Sequence, residues 1–185
     1  MVTAYLFFLR LNTRTFHTLL RFLLAELKEY AEEDIDASKT SKNDLANRIT
    51  VVTRRILPGL RLYSSWFTKN WDTLAAELDD LILRAQIQDL WRCYAEALTT
   101  LVKVFPADLL PSVKYLLEED VETVSFAPLI SELTRWIWFS EGKLKPKFSD
   151  PRVDRSHPND EMLVRIRDLI VNGLELAHRK EEVSI

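Results

Sequence analysis

Glycine, cysteine and proline are scarce in this chain, and each shortage excludes a class of structure. Three glycines and seven prolines among 185 residues can form few of the tight turns that β-hairpins, β-sandwiches and β-barrels require. The single cysteine, Cys93, excludes an internal disulfide framework and any zinc site made of cysteines alone, and it is typical of a reducing compartment. We therefore expect the protein to reside in the cytoplasm and the nucleus.

Long hydrophobic runs are also missing. The most apolar stretch near the start, Tyr5–Leu9, is interrupted by Arg10 and further polar residues, too soon for the roughly 20 apolar residues of a membrane-spanning helix. We interpret this stretch as part of a helical core rather than a signal or an anchor. No membrane partner is expected.

The residue types that catalyse reactions or bind metals form no recognisable constellation. The histidines, His17, His157 and His178, lie far apart, and none has a partner one helical turn away, as a metal site on a helix requires. Isolated glycines cannot form a phosphate-binding loop, and no serine lies in a nucleophile elbow. Acidic runs such as Glu118–Asp120 are more typical of a solvated face. We expect no catalytic activity, no metal, no cofactor and no small-molecule substrate.

Residues that favour helices are abundant. Leucine, alanine, glutamate, lysine and arginine dominate long stretches, and apolar residues recur at the three- and four-residue intervals of an amphipathic helix. Prolines after residue 105 predict short helical turns and a loop between residues 107 and 129. The predicted main helices are residues 4–33, 43–67, 72–83, 86–104 and a last helix that begins near Pro158.

The second predicted helix carries the clearest periodic signal. Its apolar residues advance by three or four positions and, at 100° per residue, fall within a sector of roughly 80°. Because the stripe continues in phase beyond Pro58 and Gly59, we predict one kinked helix rather than two. The residues of the stripe are Leu45, Ile49, Val52, Ile56, Leu60, Tyr63 and Phe67.

Several residues with other possible roles are predicted to lie in the core. Cys93 and the tryptophans belong to helices with this periodicity, where packing is commoner than reactivity or base stacking. Gly173 lies in phase within the apolar stripe of the last helix, where a glycine permits the close approach of a neighbouring helix.

These patterns predict an all-α fold of stacked antiparallel helical hairpins, an array like an α-α superhelix with about five main helices. A hydrophobic content of 47% suffices for a continuous core, so residues 1–185 are expected to form a single domain. Within it, residues 143–157 carry lysines and arginines among prolines and polar residues, and they predict a flexible basic loop.

Charge is distributed unevenly along the chain. The net charge is -3, but residues 39–61 hold six basic residues and one acidic residue, whereas residues 26–36 hold six acidic residues and one lysine. In one interpretation these neighbouring segments attract each other. In the other, the basic residues bind a phosphate backbone or an acidic peptide. The candidate binding residues are Lys39, Lys42, Arg48, Arg54, Arg55 and Arg61, with Lys143, Lys145 and Lys147 in the basic loop.

The segment Arg55–Phe67 reads Arg-Ile-Leu-Pro-Gly-Leu-Arg-Leu-Tyr-Ser-Ser-Trp-Phe. It resembles a helix in the DNA/RNA-binding domain of the family that joins the telomerase-associated ever-shorter-telomeres protein to the SMG-type nonsense-mediated mRNA decay factors. Phe8–Leu11 is similar to the start of that domain. Glu118–Asp120 with Ser125–Leu129 is similar to its acidic loop, and His157–Glu161 to the entry of a late helix.

The resemblance covers nearly the whole chain and implies a helical-hairpin scaffold. It implies partners among mRNA-decay or telomerase proteins, in nonsense-mediated mRNA decay or telomere maintenance. The alternative that it implies is direct binding of single-stranded RNA or telomeric DNA through the basic residues.

Overall fold

The computed structural model describes residues 4–32, 41–112, 115–123 and 155–182, and the elements in these ranges are all helical. Four helices are long and pack side by side. The helices are α1 (Ala4–Ala31), α2 (Lys42–Asn47), α3 (Val51–Lys69), α4 (Trp71–Ala76), α5 (Leu81–Val104), α6 (Glu118–Thr123) and α7 (Pro158–Glu182), with a short 3₁₀ turn at Ala107–Leu109. The predicted all-α class is confirmed.

The four long helices form a ring in which each contacts two neighbours. Helix α1 packs against α3 and α5, and α7 packs against the same two helices from the other side. Helices α1 and α3 run antiparallel, since Thr50 before α3 donates a hydrogen bond to Glu26 near the end of α1. Helices α1 and α5 run parallel, since Arg10 binds Asp80 at their starts. One core therefore lies between all four helices.

Aromatic rings fill the centre of this core. Phe16 lies 6.2 Å from Tyr63, 6.0 Å from Phe67 and 5.2 Å from Tyr94 between ring centroids. The hydroxyl of the fully buried Tyr94 donates to the carbonyl of Leu169 at 2.8 Å, which ties α5 to α7. The predicted interior positions of Trp66, Trp71 and Cys93 are confirmed, since all three are buried, and Trp91 is half-buried.

The prediction of a single helix over residues 43–67 is wrong at one point. The chain breaks between α2 and α3, because Thr50 caps α3 by accepting a hydrogen bond from the Thr53 N–H at 3.1 Å. Beyond the break, α3 continues through Pro58 without ending, as predicted. The break changes which residues face the core: Val52 is exposed, and Leu57, outside the predicted stripe, is fully buried.

A second capping residue, Asp80, begins a helix where the sequence predicted none to begin. The helix predicted over residues 72–83 is the short α4 followed by the start of α5, because the Asp80 carboxylate accepts the Leu83 N–H at 2.7 Å and begins a new helix. Helix α7 begins at Pro158, as predicted. The predictions for residues 129–139 and 143–154 lie outside the described residues.

Candidate nucleic-acid interface

The nine basic residues predicted as a binding surface do not lie in one described place. The structure places Lys42, Arg48, Arg54, Arg55 and Arg61 on or beside α2 and α3. The other four, Lys39, Lys143, Lys145 and Lys147, fall outside the described residues. The arginines of α3 are therefore the part of the prediction whose contacts can be described.

Arg61 is held by three carboxylates of the protein itself. Its Nη1 donates to Asp120 Oδ1 at 2.5 Å and to Glu119 Oε1 at 3.3 Å, and its Nε donates to Asp168 Oδ2 at 2.7 Å. Only 12% of its side chain is exposed. Burial disfavours the charged guanidinium, but Asp120 and Asp168 outweigh this effect and raise the pKa of Arg61 above its ordinary value. Arg61 is thus charged and engaged inside the protein.

Arg54 is engaged by oxygens on two neighbouring elements. It donates to the backbone carbonyls of Ile49 at 3.2 Å and Ala46 at 3.1 Å, and to Asn159 Oδ1 at 2.7 Å. The Ala46 carbonyl lies in the last turn of α2, and the Ile49 carbonyl lies in the link between α2 and α3. Arg54 therefore closes the break between α2 and α3 and connects it to the start of α7.

The acidic run Glu118–Asp120, predicted to be a solvated face, is instead largely buried in α6. Glu119 accepts hydrogen bonds from Arg165 Nε at 2.8 Å and Arg165 Nη2 at 2.7 Å, and both side chains are buried. Asp120 lies against Arg61 on α3. Burial raises the pKa of Asp120, although Arg61 opposes the shift. The prediction failed because arginines from α3 and α7 meet at this segment.

The partners of the α3 arginines also bear on the two interpretations of local charge. The carboxylates that hold Arg61 come from α6 and α7, not from the neighbouring acidic segment of residues 26–36. Arg55 differs from Arg54 and Arg61, because its side chain is exposed on the outer side of α3. Of the three arginines predicted on α3, Arg55 is thus the one that faces solvent.

The start of α1 presents large apolar side chains to solvent, contrary to the prediction of a core segment there. Leu9 is buried, but Tyr5, Phe7, Phe8 and Leu11 are each between 46% and 57% exposed. Helix α1 contacts α3 and α5 along one side, and its opposite side stays exposed because it lies on the outside of the ring. We refer to Tyr5, Phe7, Phe8 and Leu11 as the apolar patch.

Further along α1, three cations lie in one row. Arg14, Arg21 and Lys28 repeat every seven residues and, at 100° per residue, fall within a sector of about 40°. All three are exposed, and none forms an ion pair with a described carboxylate. We refer to them as the basic stripe. The seven-residue repeat is visible in the sequence, but the basic residues between positions 39 and 61 are denser and give the stronger signal.

A cleft of about 400 Å³ runs beside the basic stripe, between α1 and α5. It is lined by His17, Arg21, Leu24, Asp89, Arg92, Cys93 and Glu96. Desolvation raises the pKa of the Cys93 thiol to about 11, with Glu96 adding to the shift. The thiol is therefore protonated near neutral pH, in agreement with a packing role.

In the described part of the chain, the histidines, cysteines and acidic residues form no group of three or more that could hold a metal ion. None of the helices described there is long and apolar enough to cross a membrane.

The fold and its surfaces define a helical bundle that presents helix faces, with an apolar patch and a basic stripe on the same outer helix. The family model described as the Est1 DNA/RNA binding domain matches residues 2–133, and the chain belongs to this family, as its sequence blocks predicted. The match includes α1 to α6 and ends before α7. Comparisons with curated proteins and with solved structures each found no match.

Proposed function

We propose that this protein is a non-catalytic helical scaffold that holds protein partners in telomere maintenance or nonsense-mediated mRNA decay, in the nucleus and the cytoplasm. The observation that carries this proposal is the apolar patch. Four large side chains, each about half exposed, lie within the first two turns of α1, and the rings of Phe7 and Phe8 contact each other. Exposed apolar surface of this kind marks protein interaction sites in soluble proteins.

The geometry of the patch suits a helix or a loop of a partner. Phe7 and Phe8 lie edge to face with ring centroids 5.8 Å apart, and Leu11 lies one turn further along α1. Aromatic side chains of this kind supply much of the binding energy at protein interfaces, because they bury large area at low entropy cost. The patch therefore offers anchors rather than scattered apolar contacts.

Affinity capture with substitutions in the patch tests the proposal. The full chain should recover telomerase or mRNA-decay proteins, identified by mass spectrometry, after treatment with nuclease. A chain carrying Phe7→Ser, Phe8→Ser and Leu11→Ser should lose them, while Val102→Ser, on the equally exposed surface of α5, should keep them. Equal recovery by all three chains, or loss of every partner after nuclease treatment of the unmodified chain, would contradict the proposal.

Direct binding of single-stranded RNA or telomeric DNA is a second candidate function. The basic stripe favours it, because exposed cations that form no ion pair within the described part of the chain are available to phosphates. The family description, which names DNA and RNA, supports it as well. Binding that weakens steeply with added salt would support this function, and binding without salt dependence would contradict it.

A further inference from the structure

The geometry points to the basic stripe of α1 as the path of a single-stranded nucleic acid, with Phe22 as a stacking platform for a base. This inference rests on the nucleic-acid function proposed above and assigns it to residues that differ from those predicted in the sequence. Its basis is the contrast between the three exposed cations of the basic stripe and the arginines that bind carboxylates within the described structure.

Several arginines of the described structure are already committed to partners within the protein. Arg61 and Arg165 bind buried carboxylates, and Arg10 binds Asp80 at the start of α5. Arg14, Arg21 and Lys28 form no ion pair with a carboxylate of the described residues. They can bind phosphate without breaking an internal bond.

The spacing of the stripe suits a chain of phosphates. Successive members lie seven residues apart, about 10 Å along the axis at 1.5 Å per residue. A nucleic-acid strand carries one charge per 3.4 Å of helix axis, so each cation meets roughly every third phosphate of a stacked strand. Lys28 lies in the last turn of α1, where the negative end of the helix dipole favours a cation. This interaction leaves the charge of the Lys28 ammonium group available to a ligand.

Phe22 provides the second element of recognition. Its side chain is 55% exposed, and at 100° per residue it lies about 100° around the axis of α1 from Arg21, at the edge of the basic stripe. Bases stack on exposed aromatic rings when they are not paired, and this contact tolerates any base. A single row of cations with one ring therefore fits an unpaired strand better than a duplex.

The acidic residues on and just after α1 lie at the Lys28 end of the stripe, where Glu29 and Glu32 are exposed, whereas residues 4–25 contain no acidic residue. Asp89 and Glu96 of α5 line the cleft beside Arg21, but Asp89 accepts a hydrogen bond from Arg92 at 2.5 Å. Glu26 on α1 is bonded to Thr50. Arg14 and Lys28, at either end of the stripe, do not line this cleft.

Fluorescence anisotropy on the purified full chain tests the inference with oligouridine and oligothymidine of about 16 nucleotides. Alanine at Arg14, Arg21 and Lys28 together should reduce the slope of log affinity against log salt by about 2, since each phosphate contact contributes about 0.7 for single strands. Phe22→Ala should weaken binding about tenfold and leave the slope unchanged, because it removes stacking and no charge.

Arg84→Ala is the matched control, since it removes one exposed arginine from α5 instead of α1. It should leave affinity and slope unchanged, and circular dichroism should show that all variants stay helical, because the substituted side chains are exposed. An equal loss in Arg84→Ala, or unchanged binding by the triple variant, would overturn the inference. Equal affinity for a duplex of the same length would overturn it as well.

The outcomes also separate this inference from the functions proposed above. If the unmodified chain binds no single strand, the nucleic-acid function and the inference both fail, and the scaffold proposal stands on its own capture experiment. If the unmodified chain binds but substitution of the stripe has no effect, the inference alone fails. The comparison of oligouridine with oligothymidine decides between RNA and DNA as the ligand.

Discussion

Arg165 of α7 and Glu119 of α6 form a two-bond ion pair whose side chains are only 5% and 6% exposed. The same Glu119 also accepts a longer hydrogen bond from Arg61 on α3. One carboxylate thus joins three helices that are far apart in the sequence. The pair holds the acidic segment against the bundle and makes it part of the fold.

Substitution of Arg165 should destabilise the protein strongly. Arg165→Met leaves Glu119 buried with less compensation, and the free energy of unfolding should fall by about 3–5 kcal/mol. Arg179→Met is the matched control, because it breaks the exposed pair with Glu175 and should cost less than about 1 kcal/mol. Urea denaturation followed by circular dichroism measures the free energy of unfolding of both variants. If Arg165→Met loses no more of this free energy than Arg179→Met, the buried pair does not stabilise the fold.

Gly173 allows α7 to approach α5, as the sequence predicted. A Cβ atom at this position would lie 2.4 Å from Leu98 Cδ1, so Gly173→Ala should force Leu98 to move and lower the melting temperature. At Gly59 the nearest atom would lie at 3.8 Å, so Gly59→Ala should stabilise α3 by up to about 1 kcal/mol through helix propensity. Calorimetry that shows the same sign for both substitutions would contradict this account.

The raised pKa of Asp120 predicts the direction in which the stability of the protein changes with pH. Because burial raises its pKa in the folded protein, its stabilising contribution is full below the ordinary carboxyl pKa of about 3.9 and is lost as pH rises through the raised value. Relative to Asp120→Asn, the unmodified protein should therefore lose stability as pH rises through this window.

Asp80 serves as a control, because its contribution to stability should change with pH in the opposite direction. The hydrogen bond from Arg10 lowers the pKa of Asp80, so its contribution is present above the ordinary carboxyl pKa and is lost as pH falls. Relative to Asp80→Asn, the unmodified protein should gain stability as pH rises. Urea denaturation over a pH series measures both differences, and a common sign would contradict the assignment of these two environments.

The Cys93 thiol should react slowly in the folded protein. Burial raises its pKa to about 11, so little thiolate is present near neutral pH, and the side chain is 7% exposed. Iodoacetamide labelling followed by mass spectrometry should be slow in buffer and fast in urea. Equal rates in the two conditions would contradict the packing role assigned to this residue.

Much of the helical structure could be predicted because it depends on local repetition. Helix α5 buries Ile87, Leu90 and Leu101 on one face, as their spacing indicated. The break before α3 could not be predicted in this way, since Thr50 is fixed both by its cap on Thr53 and by its contact with Glu26 on another helix. A contact between distant segments leaves no periodic signal.

The same limit applies to the candidate interface. The excess of basic residues between positions 39 and 61 marked Arg54 and Arg61 as binding candidates, but it could not show that α6 and α7 bring oxygens to them. Likewise, the apolar start of α1 looked like core because its hydrophobic content is high. Which side of α1 is covered depends on where α3 and α5 pack, and this follows from the whole bundle.

The central claim is that Arg61 stabilises the fold whereas Arg14 is free to bind a partner. Unfolding free energies of Arg61→Met and Arg14→Met, measured side by side in urea, test it most directly. We expect a loss of about 3–5 kcal/mol for Arg61→Met and a change within about 0.5 kcal/mol for Arg14→Met. An unchanged free energy of unfolding in Arg61→Met, or a loss of similar size in Arg14→Met, would contradict the account.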